Sequence, residues 1–146
     1  MPMPTIFYRL AVSCWLGGGA LFTAVLTPTI FKAYPRDTAG AIVGALFPGY
    51  FRWGLACGAM ALLCRLLSKG RHGTASTILI VAMLAITATQ ALIIEPRAAE
   101  LKKAIPSFET TPADHPLRVQ FRKLHGVSAA ANLAVIAGGI TLVILF

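Results

Sequence analysis

The chain has 146 residues, 57% of them hydrophobic and only 12% charged, with a mean hydropathy of +0.75 and a formal net charge of +8. A soluble domain carries about twice that share of charge, so the composition excludes one and indicates an integral membrane protein. Most of the thirteen Lys and Arg lie in short segments between apolar runs, which assigns them to topology and to anionic lipid headgroups and leaves no basic domain for nucleic acid.

The first apolar run predicts a helix over residues 6–31. It exceeds the core of a signal peptide, no small-residue cleavage site follows it, and it is read as a retained transmembrane helix. Gly19, Thr23 and Thr27 are four apart and present small positions to a neighbouring helix, while Pro28 is expected to kink the last turn. Tyr34-Pro35-Arg36-Asp37-Thr38 is a tight connection in which Asp37 or Thr38 is a natural N-cap. A connection this short makes the first two helices antiparallel neighbours.

The second helical pattern covers residues 38–67, about 45 Å at 1.5 Å per residue, which is longer than the hydrocarbon layer. A break is expected at Phe47-Pro48-Gly49, leaving two pieces that carry Gly40 and Gly44, and Gly54 and Gly58, each pair in a G-x-x-x-G spacing that favours close helix approach. Arg52 follows the break. A cation at that depth either faces a cavity, a carboxylate or freed carbonyls, or snorkels to the interface. Arg65, Lys69, Arg71 and His72 form a basic hairpin turn.

The third helix, residues 74–94, is expected to stop at Glu95-Pro96-Arg97, because proline disfavours helix at the residue before it. Gln90, near its far end, should not face lipid. The polar loop, residues 97–125, includes a possible helical continuation over 98–104 and an amphipathic or pre-membrane helix over 117–124. A last helix covers 126–146. The reading is therefore one all-α domain, residues 1–146: a polytopic membrane protein built as a four-transmembrane-helix bundle with a broken second helix. By parity the loop at Arg36, the stop at Glu95 and the entry at His125 share one side. That side carries eight Lys and Arg against four on the other, with Arg52 unassigned, so the positive-inside rule places the long loop in the cytoplasm.

The polar residues on that side are the candidate site: Arg36, Asp37, Gln90, Glu95, Arg97, Arg122, His125, Ser128 and Asn132, with Arg52 nearby. His125, Ser128 and Asn132 are three and then four apart, along one face of the fourth helix. Facing the bundle, that stripe would meet Gln90 and Glu95, and a Glu–Arg or Glu–His network would either clamp loops to helix ends or line a site for an ion or a small polar solute. Glu95 with His125 is the only pairing suited to acid/base work, and no nucleophile elbow surrounds Ser128. His125 is the only histidine at a membrane helix, and Cys14, Cys57 and Cys64 fall inside apolar runs without ligand spacing, so neither a metal nor another cofactor is expected.

The blocks Tyr34-Pro35-Arg36-Asp37-Thr38-Ala39-Gly40, Leu46-Phe47-Pro48-Gly49-Tyr50-Phe51, Glu95-Pro96-Arg97, Leu117-Arg118-Val119-Gln120-Phe121 and His125-Gly126-Val127-Ser128 with Asn132-Leu133 resemble the transmembrane protein 205 family, in order and over nearly the whole chain. The segment from Arg97 to Leu117 is shorter here than in the human member. The resemblance implies four membrane helices with no established molecular activity, and an association of the human member with platinum-drug resistance and vesicle traffic suggests handling of a toxic solute. The expectation is a transporter, channel or efflux-type protein for an ion or small solute, homo-oligomeric through its glycine-lined faces. The alternatives are a membrane-embedded enzyme on a lipid or quinone-like substrate using Glu95 and His125, and a non-catalytic assembly partner.

Overall fold

The computed structural model describes residues 3–68 and 73–145, so Lys69, Arg71 and His72 of the basic turn, and Phe146, lie outside the described residues. Four helices are long and apolar enough to cross a membrane: α1 (Met3–Ala33), α2 (Arg36–Leu67), α3 (Gly73–Ala104) and α4, which runs from Pro116 to Leu145. No strand occurs among the described residues. The protein is an all-α, multi-pass membrane bundle. α1 packs against α2 and α4, and α3 against the same two, which closes a four-helix ring. Each helix turns most of its apolar side chains outward, as at Leu92 and Ile144, which suits a hydrocarbon surround rather than water.

Trp15 fills the centre of the ring at 5% exposure. A Cβ at Gly58 would lie 2.6 Å from its indole and 2.5 Å from Leu84 Cδ2, and one at Gly54 would lie 3.1 Å from the indole nitrogen. The Gly54/Gly58 pair therefore makes room for a tryptophan rather than for a bare helix backbone. On the N-terminal side of the bundle, away from the long loop, Val12, Ile80, Met83 and Leu142 complete an apolar plug.

The expected break in the second helix is absent. α2 passes through Pro48 without interruption. An interior proline costs about 3 kcal/mol, yet the buried stripe Ala39, Val43, Phe51, Gly54, Gly58 and Ala61 keeps one helical register across it. A break would turn half of that stripe away from α1 and α3, while Pro48 itself lies on the exposed face of α2.

The third helix does not stop at Glu95 either. In α3 residues Gln90–Ile94 form a π-turn, and in α1 residues Phe22–Leu26 form another. Each closes with an i→i+5 bond, Thr27 N–H donating to the Phe22 carbonyl and Glu95 N–H to the Gln90 carbonyl. The next residue in each case is a proline, Pro28 or Pro96. The residue lacking an N–H thus follows a widened turn, where its ring clears the carbonyl it would strike in a regular helix. α3 continues to Ala104, and α4 begins ten residues earlier than the expected 126, at Pro116. With about 48 Å of helix against about 30 Å of hydrocarbon, α2, α3 and α4 are long enough to project beyond the hydrocarbon on the long-loop side. The candidate site lies in that projection.

Candidate functional site

The projecting helix ends enclose a cavity of about 740 Å³, within the ~300–1,000 Å³ usual for ligand sites. α2 supplies Arg36, Val43, Phe47 and Phe51; α3 supplies Glu95, Lys102 and Lys103. Phe31 closes it from α1, and Arg118, Phe121, His125 and Ser128 from α4. Its wall is apolar at depth and cationic at the rim.

Lys102 reaches across to α2 and donates to the Gly40 carbonyl. A Cβ at Gly40 or Gly44 would come within 3.3 Å of its ammonium, so this second glycine pair admits a cation, not a helix. Glu95 and Asp37 lie within coulombic reach of the same ammonium. Glu95 forms no hydrogen bond or ion pair with Arg97 or His125, so the expected Glu–Arg or Glu–His network is not made. The loop is clamped instead by Asp37, which is not the N-cap: it lies in the first turn of α2, after Pro35. Its carboxylate accepts from the Ser107 hydroxyl at 2.5 Å and from the Phe108 amide at 2.7 Å.

Held there, Phe108 meets Phe121 edge-on at 5.0 Å, and Phe121 stacks on His125 at 6.0 Å and 7°. The Arg118 guanidinium covers the other end of the ladder, 5.6 Å from the Phe108 ring, and also donates to the Thr111 carbonyl. Residues 118, 121 and 125 recur at helical spacing, so the early start of α4 is what stacks them.

Below the cavity a polar chain runs into the bundle. The Ser128 hydroxyl donates to Gln90 Oε1 at 3.2 Å, and Asn132 Nδ2 donates to Thr23 Oγ1 at 2.6 Å. The Tyr50 hydroxyl donates to Asn132 Oδ1. Gln90 opens one π-turn and Thr23 belongs to the other, so the α4 stripe joins both widened turns. Gln90 is 2% exposed, and with Tyr50, Asn132, Thr87 and Trp15 it lines a central cavity of about 10 Å³, the lower limit for a single water.

Of the ten residues singled out in the sequence, Arg36, Glu95, His125 and Ser128 line the large cavity, Gln90 and Asn132 form the chain beneath it, and Asp37 holds its loop. The other three lie elsewhere. Arg97 lines a separate surface groove with Glu100, Gln120 and Lys123, because two residues along a helix it faces away from Glu95. Arg122 is exposed and donates to the Ala113 carbonyl at 3.5 Å. Arg52 is exposed on the outer face of α2. Sequence reasoning missed Lys102, Lys103, Arg118, Tyr50 and Thr23. Positions 95, 98, 99 and 102 share a helix face, so continuing the helix through Pro96 would have carried the cavity face from Glu95 to Lys102.

A protein described as uncharacterized, from Aquifex aeolicus (strain VF5), is 32% identical over 126 residues, covering 86% of this chain and 83% of that protein. No solved structure matches the chain significantly. Neither the family match nor this relative carries the transmembrane protein 205 name. The family model for the domain of unknown function DUF4149 matches residues 10–107, from α1 through the clamp residue Ser107, and the chain belongs to that family.

Proposed function

We propose that this protein is a small-solute carrier of the membrane, of transporter or efflux type, whose solute enters through the cavity at the long-loop face. One observation carries the reading: Ser128, on the cavity wall, donates to Gln90 beneath it, and Gln90 shares the small central cavity with the hydrogen-bonded Asn132 and Tyr50, so polar groups belonging to both π-turns lie under the large cavity. Polar groups at membrane depth cost stability and mark solute paths, and π-turns concentrate at working sites. Beyond them the apolar plug around Trp15 closes the way, so this conformation is open on one side only. Passage requires the helices to move, and the two π-turns are the natural places for them to bend.

Arg52 supports self-association: exposed near the middle of α2, it has no intramolecular partner among the described residues, and a second copy would shield it from hydrocarbon. The basic excess on the long-loop side supports a cytoplasmic position for that loop. Flux measured in proteoliposomes loaded with dansylglycine, a small fluorescent monocarboxylate, tests the carrier reading. Release above protein-free vesicles that is lost in Gln90→Leu, with the purified protein still helical, supports it. Release no faster than from empty vesicles counts against it.

A further inference from the structure

Resting on that carrier reading, we propose that the cavity takes a single-chain anionic amphiphile, an acyl chain ending in a carboxylate. The charge balance points to an anion. Arg36, Lys102, Lys103 and Arg118 line the cavity against one lining carboxylate, Glu95, and even with the nearby Asp37, which holds the loop, the cations outnumber the carboxylates. Two of these cations already have contacts, Lys102 on the Gly40 carbonyl and Arg118 on Thr111 and Phe108. Arg36 has none among the described residues and stands at the mouth, available to a headgroup. Guanidinium recognises a carboxylate with two parallel hydrogen bonds, and excess positive potential at a low-dielectric wall concentrates anions.

The wall points to a chain. Phe31 and Phe47 line the apolar part of the cavity, with Phe51 stacked on Phe47 at a 5.7 Å ring separation. A hydrated inorganic anion gains nothing from such a surface, whereas an acyl chain is removed from water along its length. Phe31 lies on α1 at 45% exposure, next to hydrocarbon, so the tail can enter from the bilayer while the head stays at the cationic rim. Glu95 sits on the same wall as Lys102 and disfavours a second negative charge, which selects a monoanion over a doubly charged phosphate.

The test is binding by the full chain in phosphatidylcholine nanodiscs, with empty discs as the partition blank and a dansyl-labelled undecanoate as the probe. Saturable binding at least tenfold tighter than that of its methyl ester is expected. Arg36→Gln should weaken the acid about tenfold while leaving the ester unchanged, the size of one charge-assisted contact. Because Arg36 has no partner among the described residues, this variant does not put the fold at risk. Arg97→Gln, in the separate groove, should bind as the wild type does. Equal affinity for acid and ester, or no loss in Arg36→Gln, overturns the proposal, as does competition by acetate or inorganic phosphate as effective as that of unlabelled undecanoate. Binding without proteoliposome flux would remove the carrier reading and leave this site standing. Dansylglycine flux without amphiphile binding would do the reverse.

Discussion

Replacing Asn132 with leucine, a side chain of nearly the same shape, removes both ends of the bridge between α1, α2 and α4. Asn132 accepts from the Tyr50 hydroxyl and donates to Thr23 Oγ1. Hydrogen bonds between membrane helices average about 0.6 kcal/mol and reach about 1.7 kcal/mol. The two losses are unequal. Thr23 can turn its hydroxyl to a carbonyl of its own helix, whereas Tyr50, stacked on the Phe22 ring at 4.4 Å, has only the Thr23 hydroxyl left within hydrogen-bond reach. The expected destabilisation is therefore about 1 kcal/mol, the size of two such bonds with one partly replaced. It would be read from reversible unfolding in mixed micelles of mild detergent and SDS. Tyr50→Phe should cost less alone, and the double variant should cost less than the sum by about 0.5–1.5 kcal/mol. Strict additivity, or a loss below about 0.5 kcal/mol for Asn132→Leu, would refute the bridge.

Pro48→Ala should stabilise the protein, by up to about 3 kcal/mol, since α2 is already continuous there; a lower melting temperature would show that the proline is needed. Pro96→Ala should do far less, because the preceding π-turn already relieves the ring, and thermal unfolding of the two variants side by side checks the contrast. Gly58→Val should cost about 1–3 kcal/mol or prevent folding, as its side chain would strike Trp15 and Leu84; a melting temperature equal to wild type would contradict that packing. Asp37→Ala should release residues 105–115, seen as faster amide exchange at Phe108 and quicker proteolysis in the loop, with exchange in the buried bundle unchanged.

The prolines show where local rules stopped applying. Read locally, Pro48 and Pro96 each end a helix. Pro48 does not, because the apolar stripe on both sides of it is worth more buried than the lost hydrogen bond. Pro96 does not, because a π-turn absorbs it, and a π-turn leaves no periodic mark in a sequence. The second of these hid part of the site: with α3 stopped at Glu95, the possible helical pieces over 98–104 and 117–124 are read as parts of a polar loop rather than as extensions of α3 and α4, and Lys102, Lys103 and Arg118 are left out of the candidate site. The spacing of His125, Ser128 and Asn132 was legible, since it needs only an α-helix, and so was the need for Gln90 to avoid lipid.

Four apolar runs about twenty or more residues long are bound to become membrane helices, because a backbone in hydrocarbon must bond within itself; that much follows from the chain alone, along with the shared side of Arg36, Glu95 and His125. Which way each polar residue faces was decided by the bundle. Glu95 and Arg97 are two residues apart and line different cavities, and the two glycine pairs of α2, alike in spacing, receive a tryptophan and a lysine. A sequence carries the period of a helix but not its rotation against its neighbours, and that rotation is set by contacts between residues as far apart as Thr23 and Asn132.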